Sequence, residues 1–270
     1  MGKKDNHKQD LRALFEGFYE TNEVGELTTY IASNSALPGR RANLELAAAF
    51  SEVVESVAEE EADALWTLCA KLVQISADEA PVNTPEEFLP FCGVIGLGSV
   101  GAASPTRLAE ALAIIKKLAN DPRWRMREAV GGALHRLIAA QSEITLAELE
   151  TWVAEGSLLE VRAVAAGIAD PSLSENETLA RWALTQHKKI IERVLAEKDR
   201  KSDDFRTLRK ALGYTLSLVV QALPEDGFAY MSQLAAWQDK DILWIVKENL
   251  KKNRLIKHFP QAVKTIKERL

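Results

Sequence analysis

The chain has 270 residues, of which 47% are hydrophobic and 27% charged, with a net charge of −5. That is enough apolar material for an extended core and an ordinary charge load, and the mild acidity argues against a generic nucleic-acid binder. No run approaches the ~18 apolar residues of a membrane span, residues 1–10 are too polar for a signal peptide, and no membrane partner is expected.

Nearly every segment repeats its apolar residues with helical period, and none alternates polar and β-branched residues as a strand does. Residues 1–10 are expected to be frayed or disordered. Breaks fall at 36–40, 80–83, 120–122, 169–174, 198–202 and 223–227, where Gly, Pro, Asn, Asp and Ser cluster. Thr84-Pro85-Glu86-Glu87 reads as a capping box with Pro at the first helical position. Ser104-Pro105 opens a helix the same way, and Thr145…Glu148 and Ser174…Glu177 are two further predicted boxes. Residues 106–119 and 124–140 form the clearest helix pair, joined by Asn120-Asp121-Pro122. One such pair cannot bury both apolar stripes, whereas stacked pairs can. About a dozen helices with short connections therefore predict an all-α solenoid of antiparallel pairs, one domain over residues 1–270.

A polar repeat runs through this pattern. Asp121, Asp203 and Asp241 are each followed six residues later by a base, Arg127, Arg209 and Lys247, and Arg162 stands in a similar helix without its Asp. The four bases are 35, 47 and 38 residues apart, the period of a helix-pair repeat. A turn Asp accepts hydrogen bonds at the next helix N-terminus and offsets its dipole, while the base reaches the Asp of the adjacent repeat. Asp121, Arg127, Arg162, Asp203, Arg209, Asp241 and Lys247 are thus expected to form a structural ladder. In this, the chain resembles the HEAT-repeat family, which implies a right-handed superhelix.

Residues 1–180 hold 15 Lys and Arg against 28 Asp and Glu, and residues 181–270 hold 19 against 11. Such asymmetry predicts a basic surface on the C-terminal third. Arg206, Lys210 and Tyr214 share one helix face, as do Lys247, Lys251 and Arg254. Trp124 and Trp244 stand in the first turn of second helices beside cations, placed for base stacking, and Arg123 and Arg127 flank the first of them.

The segment from Phe205 through Arg209-Lys210-Ala211-Leu212-Gly213-Tyr214 to Leu216, with Trp124 and Arg127 in the repeat before and Trp237…Trp244 in the last, resembles the alkylpurine DNA glycosylases built from HEAT-like repeats. The resemblance implies a basic, aromatic-lined groove for damaged duplex DNA. That family has Trp at the position of Tyr214. Its catalytic Asp lies in a region matching residues 88–101, which hold neither Trp nor Asp; the nearest acid is Glu87. The expectation is therefore a binding module with no catalytic residue and little or no chemistry, contacting duplex or branched DNA. The alternatives are a protein-interaction scaffold, suited to the acidic first half, and a residual glycosylase.

Gly96-Leu97-Gly98-Ser99-Val100-Gly101 matches a dinucleotide fingerprint, but Ser104-Pro105 restarts the helix and no parallel sheet surrounds it. Close helix packing is the expected role of these glycines, and no cofactor is expected. The four histidines lie far apart and the two cysteines, Cys69 and Cys92, have no ligand spacing, so no metal is expected. The cysteines read as buried apolar residues in a reducing, cytoplasmic setting.

Overall fold

Every regular element is a helix. The computed structural model describes residues 2–58 and 60–270, and no strand occurs among them. The architecture is a succession of helix pairs of the helical-repeat kind, and by packing it divides into two compact units, residues 1–146 and 147–270.

Unit 1 contains α1 (Lys3–Thr21), α2 (Gly25–Ser33), α3 (Leu44–Val57), α4 (Ala62–Val73), α5 (Phe88–Ala103), α6 (Pro105–Leu118) and α7 (Trp124–Ala140). α5 is its axis. Residues 90–101 are all buried, because α3, α4, α6 and α7 cover the helix on several sides. A helix apolar all round belongs in a core, and here its glycines set the distance to each neighbour. A Cβ on Gly98 would stand 2.7 Å from the Ala133 backbone of α7, and one on Gly93 would stand 2.8 Å from Leu72 of α4. The Gly-x-Gly run is thus a packing device.

Residues 3–10 belong to the first helix. α1 begins at Lys3, its Lys4 and Lys8 both pair with Glu52 of α3, and His7 Nδ1 lies 2.7 Å from the Tyr30 hydroxyl of α2. Leu11, Phe15 and Phe18 supply the buried stripe that holds the helix down.

α8 (Ser142–Glu155) carries the boundary between the units. Unit 2 continues with α9 (Leu158–Gly167), α10 (Glu177–Ala196), α11 (Asp203–Ala222), α12 (Pro224–Ala235), α13 (Lys240–Asn249), α14 (Asn253–His258) and α15 (Pro260–Lys267). α11 packs against α9, α10, α12, α13 and α14. Its contact with α13 is clamped by Asn249, a buried amide. Asn249 Nδ2 donates to the Leu212 carbonyl (2.7 Å) and the Ile245 carbonyl (2.8 Å), and its Oδ1 accepts from the Ser217 N–H (2.8 Å). The two bonds that cross to α11, to Leu212 and Ser217, fix one register between the buried helix faces, and the third, to Ile245, holds the amide on its own helix.

Three predicted helix starts differ. Thr145 is buried inside α8, its hydroxyl donating to the Leu137 carbonyl, and Glu148 accepts from the Trp152 indole instead of capping. Asn176, not Ser174, caps α10, its side chain accepting from the Leu179 N–H. Glu87 accepts from the Asn83 N–H rather than from Thr84. A box that sequence reasoning passed over, Ser157 with Glu160, does open α9.

Candidate functional site

The turn acids behave differently in the two units. In unit 2, Asp241 of α13 is 2% exposed and accepts from Arg209 of α11 at 2.5 Å and from Arg200 at 3.3 Å. Arg209 reaches the Asp of the following helix pair, the geometry expected of a ladder rung. Its guanidinium also covers the Trp244 ring at 4.7 Å, and Trp244 lies against Gly213. Trp244 is therefore half-buried between helices and does not stand out for stacking. Arg200 is a residue the sequence pattern did not single out. It bridges Asp239, Asp241 and the Leu195 carbonyl at the end of α10. Burial draws the Asp239 carboxyl pKa up, but hydrogen bonds from Arg200 and from the N–H groups of Ile242 and Asp241 outweigh it and hold it below the usual range.

The other turn positions make these contacts. Asp203 pairs with Arg206 in its own helix, Lys247 is exposed, and Arg162 is buried in α9. In unit 1, Asp121 grips Arg123, not Arg127: its carboxylate accepts from Arg123 Nη2 at 2.8 Å and Nε at 3.0 Å. Arg123 is buried and aims its Nη1 at the carbonyls of Ile75, Ser76 and Ala80. It thus satisfies acceptors in the segment after α4 and is not available to a ligand. Arg127 Nη1 donates to the carbonyls of Asp121 and Pro122.

Trp124 is 45% exposed, and the Arg125 guanidinium lies over its ring at 4.3 Å. Arg125 is buried with Glu87, Nη1 to Oε2 at 2.8 Å, and its Nη2 donates to the Gly39 carbonyl at 2.8 Å. Asn83 Oδ1 accepts from the Gly39 N–H at 3.0 Å. These bonds fasten the loop at residues 34–43, which contains a cis Leu37-Pro38 bond, over one edge of a cleft of about 460 Å³. The floor is apolar, with Ala47, Phe91 and Ile95, and the rim carries Arg40, Arg41 and Arg136. Nothing in local spacing marked this cleft, because it is assembled from α3, α5, α7 and an irregular loop.

In unit 2, Arg206 and Lys210 of α11, Lys247 of α13 and Lys251 in the turn after it are exposed, while Leu208, Leu212, Ile242 and Val246 of the same two helices are buried. α11 and α13 are in contact, so Arg206, Lys210 and Lys247 lie on neighbouring helices, with Lys251 two residues past the end of the second. Arg206 pairs with Asp203, and Lys251 with Glu248. Tyr214 is half-buried on the same α11 face. Arg254 is half-buried at the start of α14, burial lowers its guanidinium pKa, and its Nη1 has no hydrogen-bond partner.

Glu87 is fully buried and residues 90–101 are buried, so this stretch presents no carboxylate to solvent. Among the described residues no group of three or more His, Cys, Asp or Glu is placed to hold a metal ion, and no helix is long and apolar enough to cross a membrane.

No protein-family model matches the chain, and no curated protein matches it. Among solved structures, it is similar to a designed armadillo repeat protein, at 15% identity and a TM-score of 0.31, over 82% of this chain and 98% of that one. It is also similar to an engineered protein at 12% identity and a TM-score of 0.33, over 88% and 97%. Neither superposition is close.

Proposed function

We propose that the chain is a binding module without chemistry of its own, and that the basic face of α11 and α13 takes nucleic acid, duplex or branched DNA in particular. One observation carries this reading: Arg206 and Lys210 stand exposed on α11 and Lys247 on α13, which packs against it, with Lys251 exposed in the turn that follows. Adjacent cations on a rigid layer suit a phosphate backbone, and the affinity they give falls steeply with salt. Replacing Lys210 and Lys247 together by Glu leaves both helices' buried faces intact. It is expected to weaken binding of a fluorescein-labelled DNA duplex about tenfold or more, and to reduce the slope of log Kd against log salt by about two contacts. An unchanged Kd and slope would remove the proposal.

A protein partner is the second reading. It is favoured by Asp203 and Glu248, which sit among the same bases and pair with two of them. Mixed charge of this kind repels a uniform polyanion but complements a mixed protein surface. A glycosylase reading has weaker support, since Glu87 is committed to Arg125 and the Asn83 N–H. Release of a methylated purine from DNA is the assay that decides it.

A further inference from the structure

We infer that the arginine-rimmed cleft of unit 1 docks a short acidic peptide segment carrying a bulky apolar residue. The inference concerns a different unit and a different ligand from the nucleic-acid surface, and neither depends on the other.

The cleft has the size of a small-ligand pocket, about 300–1,000 Å³ being usual, and its own volume is about 460 Å³. It holds one or two anchoring side chains, not a folded partner. Two large apolar residues stand open at its mouth, Leu44 at 63% and Trp124 at 45% exposure, above a floor that includes Ala47, Phe91 and Ile95. Exposed apolar surface lying together in a concave patch marks a place where something binds. An anchor residue seated between Trp124 and Leu44 would remove both from water.

The polar chemistry of the rim is one-sided. Arg40, Arg41, Arg125 and Arg136 line the cleft, against the single carboxylate of Glu128. Arg125 is held by Glu87, and Arg136 by Glu55 and Ser51. Arg40 and Arg41 have no ion-pair partner among the described residues, and the Trp124 indole N–H has no acceptor there. The unused groups are all donors, so the ligand must bring acceptors, and guanidinium forks match carboxylates bidentately. These donors are also positioned in advance. The loop bearing Arg40 and Arg41 is fastened through Gly39 to Arg125 and Asn83.

Charge complementarity and the floor together favour a peptide over a nucleic acid. Residues 1–146 hold 14 Lys and Arg against 21 Asp and Glu, and four of those 14 bases converge on this cleft. The net acidity of residues 1–146 disfavours a long polyanion more than a short peptide. A peptide confines its carboxylates to the rim. A nucleobase edge also needs donors and acceptors beneath it, and the Ala47, Phe91 and Ile95 floor supplies neither.

The test uses the full chain and fluorescence anisotropy. The probe is a fluorescein-labelled peptide, Asp-Glu-Leu-Phe-Asp-Glu, with controls in which Leu-Phe becomes Ser-Ser or the acids become Lys. A labelled single-stranded hexanucleotide serves as the nucleic-acid comparison. Binding of the acidic, apolar peptide is expected, with both controls at least about tenfold weaker. Arg40→Glu with Arg41→Glu, and separately Trp124→Ala, are each expected to cost about tenfold or more. These side chains are exposed, and circular dichroism checks that the helices persist. Lys210→Glu with Lys247→Glu in unit 2 should leave the peptide affinity unchanged. The inference is overturned if the peptide does not bind or if the unit 1 variants bind it as the parent does. It is equally overturned if the hexanucleotide binds more tightly than the peptide and is the ligand these variants lose.

Discussion

Arg125→Met is expected to destabilise unit 1 by about 3–5 kcal/mol, the cost of leaving a buried carboxylate without its counter-ion. Glu87 is fully buried, and Arg125 is its sole cationic partner among the described residues. Methionine keeps an unbranched side chain but removes the charge, the guanidinium over Trp124 and the bonds to Gly39 and Asn83. Adding Glu87→Gln removes the orphaned charge while keeping an oxygen for the Asn83 N–H, so the double variant should recover more than half of the loss. Native-state hydrogen exchange of the α5 amides reads this unit without interference from the other. A single variant that loses less than about 1 kcal/mol would mean the pair is not the buried, ionised contact described. The same substitution frees the 34–43 loop, so peptide binding at the cleft should fall with it.

Acidification to pH 4.5 is expected to cost unit 2 most of about 3 kcal/mol through one histidine. His187 is buried in α10 between the Ala183 carbonyl, 2.9 Å from Nδ1, and the Thr215 hydroxyl, 3.0 Å from Nε2. Burial lowers its pKa from 6.5 to about 4, and the bond to Ala183 opposes that only in part. The neutral ring donates from Nδ1 and accepts at Nε2, satisfying both neighbours. In the unfolded chain the ring takes up a proton as pH falls through 6.5, whereas in the folded chain it does so only near 4. Stability from this site is therefore complete above pH 6.5, falls between 6.5 and 4, and levels off below. Urea unfolding at pH 7 and 4.5 should show the loss in the parent. His187→Gln, which cannot titrate, should show a clearly smaller pH dependence though a lower stability at pH 7. Equal pH dependence in both would show that His187 is not the acid-labile group.

The helical character of the chain was legible because period and turn residues act locally. The breaks at 120–122 and 198–202 were legible for the same reason, as was the Arg209 to Asp241 contact, which follows from residues that recur once per helix pair. What sequence could not give was the choice among neighbours. Arg123, Arg125 and Arg127 are alternate residues of one short stretch, yet one plugs the segment after α4, one is sunk against Glu87, and one bonds its own turn. Helix rotation and the carbonyls that lie opposite decide this, and neither is encoded in spacing. The cleft was hidden for a related reason. Arg40, Arg41 and Leu44 come from a loop with no period, and they meet Trp124 only because Arg125 ties that loop down from a position more than eighty residues further on.

The dense wrapping of α5 has a consequence for how unit 1 can be watched. Cys69 and Cys92 are the chain's only sulfhydryls, both lie in this unit, and burial pushes the Cys69 thiol up to about 12 and that of Cys92 higher still. Neither is a thiolate at neutral pH nor open to reagent, so alkylation waits on the helices parting. Under native conditions, uptake of a maleimide should follow the breathing of this half of the molecule alone, at a rate set by how rarely it opens. The chain thus carries its own chemical stopwatch for one unit while the other runs silent.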